Sequence, residues 1–204
     1  MVDSPENTSA IRSPFEGHAP GTQTDKAGKV AVHICAGTLQ SVTLISTWCS
    51  GLPQLMRAMT GLFDSVPVHT GSTAAGPWGL LARTGPEEFL LIGSSQIDAT
   101  AKLRSVVGAD IGSVTDLSHA RCYIDIDGNQ CRNMLNKLFA IDLREASFPV
   151  GHVRLTGTHH VPCMLYRVEA DSFRMFVFST YAYDQLATVM DASREYGVSL
   201  RAVA

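Results

Sequence analysis

The sequence predicts an α+β protein built from two ferredoxin-like halves, each with the element order β-α-β-β-α and with antiparallel sheets. Two observations support this fold class. Apolar runs of strand length alternate along the chain with segments whose apolar residues follow helical spacing. The same order of elements then occurs a second time, at an offset of roughly 80–90 residues. Repeated units of this kind are typical of ferredoxin-like layers, with the helices on one face of each sheet.

The first half is predicted within residues 29–110, and a single intertwined domain is the alternative to two separate halves. Val30, Val32 and Ile34 alternate along one strand, and residues 39–45 indicate a second strand. A helix follows, with Ser50 as its expected N-cap. Its apolar stripe has i, i+3, i+4, i+7 spacing and consists of Leu52, Leu55, Met56 and Met59.

A loop, a hairpin and a second helix complete this half. Residues 69–77 are rich in Gly, Ser, Thr and Ala and are predicted to form the loop. Strands at residues 78–82 and 88–92 flank Gly85-Pro86, which favours a turn. The second helical stripe consists of Ala99, Leu103, Val106 and Val107.

The second half is predicted within residues 111–204 and begins with a turn. Asp116 and Ser118 are placed to accept backbone N–H groups where the chain bends. Residues 121–127 alternate between apolar and polar side chains, which indicates a half-buried strand. The clearest helical stripe of the chain follows and consists of Cys131, Met134, Leu135, Leu138 and Phe139.

The remaining elements are three strands and a last helix. Residues 153–156 form a short strand, and residues 161–168 and 173–178 form a hairpin. The stripe of the last helix consists of Tyr183, Leu186, Ala187 and Met190.

The composition narrows the class of protein. An apolar fraction of 45% in 204 residues is enough for a real core, and the net charge of −3 argues against a nucleic-acid binder. No apolar run is long enough to span a membrane, and no export signal precedes the domain. The five cysteines include no Cys-x-x-Cys pair. We therefore expect reduced thiols and a cytoplasmic protein.

Residues 1–28 are predicted to be an extended N-terminal arm. The segment is too polar to fold by itself, and Ile11 and Phe15 are its apolar exceptions. We expect a partner chain to order the arm through these two residues, and the alternative is that the arm lies on its own domain. Trp78 is a third candidate for an interface, although the core is the default for Trp78 and Trp48.

No catalytic, cofactor-binding or metal-binding residue is predicted in this chain. Asp116, Ser118 and His119 are too close in sequence to converge as a triad, so a turn is the preferred interpretation. His159 and His160 would point in opposite directions on a strand, and no second cluster completes a metal site.

Two loop motifs are also rejected. Residues 71–76 have the glycine spacing of a phosphate loop, but Pro77 stands where such a loop needs lysine. Residues 125–129 faintly resemble a calcium loop, but the residue at the position of the bidentate glutamate is Asn136. Asp127 or Asn129 is instead expected to cap the helix that follows.

Four spaced motifs carry a resemblance to a known family. They are Arg12-Ser13-Pro14-Phe15, Gly85-Pro86-Glu87-Glu88-Phe89-Leu90-Leu91, Thr115-Asp116-Leu117-Ser118-His119-Ala120-Arg121 and Phe148-Pro149-Val150-Gly151. Together they resemble the gamma subunit of heterotetrameric sarcosine oxidase, a remote relative of the folate-binding domain of the glycine cleavage aminomethyltransferase. One departure precedes the last helix, where the family commonly has Arg-Ser-aromatic-Ala and this chain has Ser179-Thr180-Tyr181-Ala182. A carboxylate-pairing role of that arginine is therefore not carried over.

The resemblance implies a non-catalytic subunit that supports a larger enzyme. The complex would contain alpha, beta and delta subunits besides this chain. It would demethylate sarcosine oxidatively to glycine, with tetrahydrofolate as the one-carbon acceptor and hydrogen peroxide as a product. FAD, FMN, NAD, tetrahydrofolate and zinc would be bound by the other subunits. The small subunit of an N-methylglutamate dehydrogenase and a stand-alone folate-binding protein are the alternatives.

Overall fold

The computed structural model describes residues 13–93 and 98–203 of the chain. The strands of this part are β1 Gly21–Gln23, β2 Val32–Thr38, β3 Ser41–Thr47, β4 Thr73–Gly76, β5 Gly79–Gly85, β6 Glu88–Gly93, β7 Gly112–Asp116, β8 Arg121–Asp127, β9 Val153–Thr158, β10 Val161–Glu169, β11 Ser172–Phe178 and β12 Val198–Val203. Its α-helices are α1 Leu52–Thr60, α2 Ala99–Val106, α3 Cys131–Leu138 and α4 Ala182–Ser193. Short 3₁₀ turns precede and follow α4 at Ser179–Tyr181 and Arg194–Tyr196. No helix of the described residues is long and apolar enough to cross a membrane.

The smaller sheet has five strands in the order β4-β5-β6-β3-β7, and all of its neighbouring strands are antiparallel. Strand β6 lies between β3 and β5, and in the chain α1 lies between β3 and the β4–β5 pair. This is the split β-α-β arrangement predicted from the sequence. Helices α1 and α2 cover one face of the sheet, where Leu55 and Leu103 pack with Ile45 and Phe89.

The larger sheet has seven strands in the order β1-β12-β2-β8-β11-β10-β9. Strand β11 lies between β8 and β10, so the split arrangement occurs a second time. All neighbours are antiparallel except β2 and β12. Helices α3 and α4 cover one face, and the core beneath them includes Ile124, Leu135, Phe173 and Leu186.

The uncovered faces of the two sheets pack against each other. Val42, Leu90 and Ile92 of the smaller sheet meet Met164 and Phe176 of the larger one. The fold therefore has four layers, in the order helices, sheet, sheet, helices. The α+β class with two ferredoxin-like units is confirmed.

The predicted boundary between residues 110 and 111 does not separate the two sheets. Strand β2 of the first half lies between β8 and β12 in the larger sheet. Strand β7 of the second half pairs with β3 in the smaller sheet. Each half thus contributes a strand to the sheet of the other half, so the two halves are intertwined.

Periodicity predicted the elements with one buried face correctly. In β8 the side chains alternate between buried and half-buried along the whole strand. In α3 the buried residues are Cys131, Met134 and Leu135, and Phe139 directly after the helix is also buried. Both predicted hairpins are present as β5–β6 and β10–β11.

The predicted helix caps are wrong. The N-cap of α1 is Gly51 instead of Ser50, whose hydroxyl donates to its neighbour, the carbonyl of Cys49. A Cβ at Gly51 would lie 2.7 Å from the carbonyl oxygen of Ile111, so close backbone approach decides this position. The N-cap of α3 is Gln130, which makes no side-chain capping bond. Asp127 and Asn129 therefore do not cap α3.

The described part of the arm packs on its own domain. Phe15 is fully buried in the core beneath α3 and α4. Strand β1 pairs with β12 at the edge of the larger sheet. The prediction that Phe15 anchors the arm on a partner chain is therefore wrong, because its ring has no exposed surface. Ile11 lies outside the described residues.

Candidate functional site

The segment 115–121 is a turn that attaches β7 and β8 to β3. The backbone N–H of Ser118 donates to the Asp116 carboxylate at 2.9 Å, and its hydroxyl donates to the same oxygen at 2.5 Å. The N–H of Val42 in β3 then donates to the Ser118 hydroxyl at 3.0 Å. The side-chain and backbone bonds from Ser118 hold the pKa of the Asp116 carboxyl below its usual value. The predicted turn role of Asp116 and Ser118 is confirmed.

Arg83 is a buried arginine that closes the turn of the first hairpin. Its guanidinium donates to the carbonyl of Pro86 at 2.5 Å, to that of Gly85 at 3.3 Å and to that of Val68. The group also lies over the Phe89 ring, 5.4 Å from its centre. All of these acceptors are neutral carbonyls. Because they belong to the hairpin turn and to the loop before β4, the arginine ties these two segments together.

Arg167 does the same in the second hairpin and is fully buried. It donates to the carbonyl of Phe148 at 2.7 Å and to that of Ala170 at 2.8 Å. Longer bonds of 3.4 Å reach the carbonyls of Leu143 and Glu169. Arg167 thereby joins the hairpin turn to the segment that contains the Phe-Pro-x-Gly motif.

The two arginines occupy equivalent places in the two halves. In each hairpin a phenylalanine stands six residues after the arginine, and the arginine lies over its ring. The carbonyls of Arg83 and Arg167 accept from Gly71 and Gly151, each at 2.8 Å, and both glycines have positive φ. This repeated arrangement was not predicted, although the shared Arg-x₅-Phe spacing at an offset of 84 residues is visible in the sequence.

The two equivalent segments meet in the middle of the molecule. Ser72 and His152 form an isolated antiparallel bridge. Next to it the N–H of Val153 donates to the carbonyl of Gly71 at 2.8 Å, and the Thr73 hydroxyl donates to that of Gly151 at 2.5 Å. The contact pairs each half with its counterpart, as expected at an approximate two-fold axis.

The residues that were considered as metal ligands occupy turns and strands. His159 and His160 lie in the turn between β9 and β10, both with positive φ, whereas Cys163 is buried in β10. No group of three or more potential ligands for a metal occurs among the described residues. Asp125 forms a bidentate pair with Arg174, at 2.6 and 2.8 Å.

The two predicted tryptophans differ in environment. Trp78 is half-buried against the core under α1 and α2, with its ring centre 5.2 Å from that of Phe63. Its role at an interface stays a prediction. Trp48 is 51% exposed and donates its indole N–H to the carbonyl of Ala109 at 2.7 Å. The default expectation that Trp48 belongs to the core is therefore wrong.

A cleft of about 250 Å³ opens between the two sheets. Most of its wall is apolar and is formed by Leu44, Leu90, Leu117, Leu155, Met164 and Phe176. Leu155 is 59% exposed, which places it at the rim. Thr84, Glu88 and Arg121 add the polar groups. The cleft thus combines an apolar wall with charges of both signs.

Arg121 is the cationic group of the cleft. Its guanidinium lies 3.6 Å from the centre of the Phe178 ring, opposite it on the neighbouring strand. Its Nε atom is buried and has no hydrogen-bond partner among the described residues. Burial lowers the pKa of Arg121, and the negative charge of Glu88 partly opposes that change.

The carboxylate and the thiol that line the cleft, those of Glu88 and Cys163, each have a structural explanation. The Glu88 carboxylate accepts a bond of 2.6 Å from the Thr84 hydroxyl. Burial raises the pKa of the Cys163 thiol to about 12. Cys163 therefore stays protonated and unreactive at neutral pH.

Comparison with known proteins gives the family. The model of the sarcosine oxidase gamma subunit family matches residues 56–195, more than half of the chain. This chain belongs to that family. A sarcosine oxidase subunit gamma from Corynebacterium sp. strain P-1 is 29% identical over 195 residues, with 94% of each protein covered. One from Arthrobacter sp. is 27% identical over 203 residues, again with 94% of each covered.

Solved structures agree with the fold. A chain of the heterotetrameric sarcosine oxidase from Corynebacterium sp. U-96 superposes with a TM-score of 0.74 and 23% identity, and 91% of this chain and 95% of that chain are covered. Aminomethyltransferase T of the glycine cleavage system from Bartonella henselae gives a TM-score of 0.59 at 12% identity. That match covers 88% of this chain and 52% of the other. The predicted relation to the aminomethyltransferase fold is thereby confirmed.

The family match contains both hairpin arginines, the turn at 115–121 and every residue that lines the inter-sheet cleft except Leu44. Phe15 lies outside it, although its ring is part of the larger core. The matched residues that bear charge in the interior, Arg83 and Arg167, bind backbone carbonyls. Their contacts show how this chain stabilises its two hairpins.

Proposed function

We propose that this chain is the gamma subunit of a heterotetrameric sarcosine oxidase and supports the assembly without catalysing a step. The family match is the observation that carries the proposal, together with relatives called sarcosine oxidase subunit gamma that align over nearly their full length. Structural roles of the charged motif residues support a non-catalytic part. Asp116 closes a turn, and Arg83 and Arg167 bind main-chain carbonyls.

In the proposed reaction, sarcosine, tetrahydrofolate and oxygen give glycine, methylenetetrahydrofolate and hydrogen peroxide. Two electrons leave the N-methyl group and reduce oxygen, and the remaining carbon passes to tetrahydrofolate. The alpha, beta and delta subunits are proposed to bind FAD, FMN, NAD, tetrahydrofolate and zinc. This chain would bind none of them.

The proposed compartment is the cytoplasm. All five cysteines are free in the structure, and three of them are buried. Free, buried thiols fit a reducing compartment, where disulfides do not persist.

Reconstitution tests this proposal. The chain is co-expressed with the alpha, beta and delta chains of a heterotetrameric sarcosine oxidase, and assembly is followed by size-exclusion chromatography with mass determination. We expect one particle with all four chains and sarcosine-dependent formation of hydrogen peroxide. Omission of this chain should abolish or destabilise the particle. A fully assembled, equally active and equally stable three-chain enzyme would contradict the proposal.

The substrate is tested in the same preparation. Turnover of N-methylglutamate in place of sarcosine, without peroxide formation, would indicate the related dehydrogenase. Saturable binding of tetrahydrofolate to this chain alone would favour the stand-alone folate protein.

A further inference from the structure

Three arginines in or beside the hairpins differ in what their donors contact. Arg83 and Arg167 direct theirs to neighbouring carbonyls. Arg121 stacks on Phe178, but its buried Nε has no acceptor, and it forms no ion pair within the described residues. A buried donor without a partner is unfavourable, and native proteins rarely keep one without a reason. Because Arg121 also lines the cleft, the part of its guanidinium that faces the cleft is suited to an anion from outside the chain.

The cleft restricts the kind of anion. Its wall is mostly aliphatic and aromatic, with Leu117, Met164 and Phe176 among the lining residues. An inorganic ion would lose its hydration against such a wall without compensation, whereas an apolar organic body would gain from burial. The volume of about 250 Å³ lies below the usual range for drug-sized ligands, so the occupant is small.

Glu88 restricts the charge that a ligand of the cleft can have. Its carboxylate lines the same cleft and lies close enough to affect the pKa of Arg121, yet it does not pair with that residue. A second negative charge on the ligand would meet Glu88 in a space with little water. The preferred ligand therefore has one negative charge.

We propose that the cleft between the two sheets binds a small organic monocarboxylate with an apolar body. The carboxylate accepts from the Arg121 guanidinium, whose planar fork fits two oxygens. The body packs between Leu117, Met164 and Phe176. This site is independent of the proposed role in a sarcosine oxidase and adds a ligand-binding function to a subunit without a catalytic one.

Calorimetric titration of the full chain tests the proposal with three matched probes. Benzoate has one charge on a single ring, benzamide is its neutral counterpart, and phthalate adds a second carboxylate. We expect saturable binding of benzoate and binding at least about tenfold weaker for benzamide, because charge-assisted bonds to arginine are lost. Phthalate should also bind more weakly than benzoate.

Variants separate the site from nonspecific binding. Arg121→Met should weaken benzoate binding about tenfold or more, whereas Arg132→Met should leave it unchanged. Arg132 is a suitable control because its pair with Asp171 lies on the surface. Glu88→Gln should improve the affinity for phthalate relative to benzoate, because the negative charge that opposes the second carboxylate is removed. Thr84 can still donate to the amide oxygen, so the local hydrogen bond is kept.

A folding control and a direct readout keep the test decisive. The unfolding midpoint of each variant shows whether it is folded. In the wild-type chain, the NMR signal of the Arg121 Nε–H should move with benzoate in proportion to saturation. Absence of saturable benzoate binding, an unchanged affinity in folded Arg121→Met, or saturation without movement of that signal would each overturn the proposal.

Discussion

Replacement of Arg167 is the most informative test of how the fold is stabilised. The side chain is fully buried, and its acceptors are backbone carbonyls in two separate segments. Arg167→Met removes the charge and the donors and retains a side chain of similar length. We expect a large loss of stability, because the carbonyls that lose their partner remain buried.

The magnitude follows from the bond lengths. Two bonds are short, at 2.7 Å to Phe148 and 2.8 Å to Ala170, and two are long, at 3.4 Å. A bond from a charged donor contributes about 1.5–3 kcal/mol, so the short pair contributes about 3–6 kcal/mol. Removal of a buried charge without a carboxylate partner offsets part of this loss. A net loss of about 2–4 kcal/mol is expected, a large share of the about 5–15 kcal/mol of a typical domain.

Urea unfolding of the full chain measures this loss as a change in midpoint at constant slope. Arg167→Lys should fall between wild type and Arg167→Met, because lysine retains the charge but lacks the planar fork. Arg144→Met is the matched control in the same segment. Arg144 is 84% exposed and pairs with Asp142 at the surface, so its replacement should leave the unfolding midpoint unchanged.

Hydrogen exchange locates the effect. In Arg167→Met, the amides of residues 143–151 should exchange faster, since the arginine no longer ties this segment to the hairpin. A loss below about 0.5 kcal/mol would refute the argument. So would a lysine variant as stable as wild type, because the fork geometry would then contribute nothing.

Three further predictions concern the larger core. Leu135→Ala should lower the free energy of unfolding by about 2–5 kcal/mol, and a loss near zero in urea unfolding would contradict the buried face of α3. Phe15→Ala should lower it by about 3–5 kcal/mol, whereas an unchanged melting temperature would mean that the arm does not depend on this ring. Burial raises the pKa of the Cys122, Cys131 and Cys163 thiols from 9.0 to about 12. Their contribution to stability is complete below pH 9 and is lost as pH rises toward about 12, so a pH series should show a shallower decline in Cys163→Ala.

Sequence periodicity predicts the parts of this fold whose side chains face one environment. In α3 and β8 a buried face meets a half-exposed one, so apolar residues recur at the period of the element. Strands β4, β7 and β12 were missed. Strand β4 has only small residues, and β7 is largely polar. The place of β7 depends on pairing with the distant strand β3, which local spacing does not encode. Strand β4 pairs with the next strand, β5. Strand β12 does alternate, with Val198 and Leu200 buried, and this signal was overlooked.

Long-range contacts also explain the errors at single residues. The neighbours of Phe15 are polar, so the sequence favours a surface position, yet the ring completes a core formed largely by residues more than a hundred positions later. Arginine is seldom fully buried, which made Arg167 unlikely as a core residue by composition. Only the carbonyls of a turn and a distant loop, arranged by the fold, make its burial favourable.

The candidate cleft was hidden for a related reason. The alternation of β8 predicted that Arg121 and Tyr123 lie on the less buried face of that strand. In a two-layer protein such a face contacts water, but here part of it faces a second sheet. The sequence therefore predicted a turn next to a strand for the motif that contains Arg121. It did not predict the environment of Arg121, which is the last residue of that motif.

The approximate two-fold relation gives the two hairpin arginines a joint consequence. Each arginine stiffens its own turn. The main-chain carbonyls of Arg83 and Arg167 also accept from the glycines next to the Ser72–His152 bridge, and this connects the two turns to the bridge. The exchanged strands β2 and β7 join the halves again through the sheets. Neither half can unfold without unpairing strands of the other, so the four layers should melt as one cooperative unit. Cooperative rigidity of this kind is what a subunit without its own chemistry requires if it is to hold the shape of a larger enzyme.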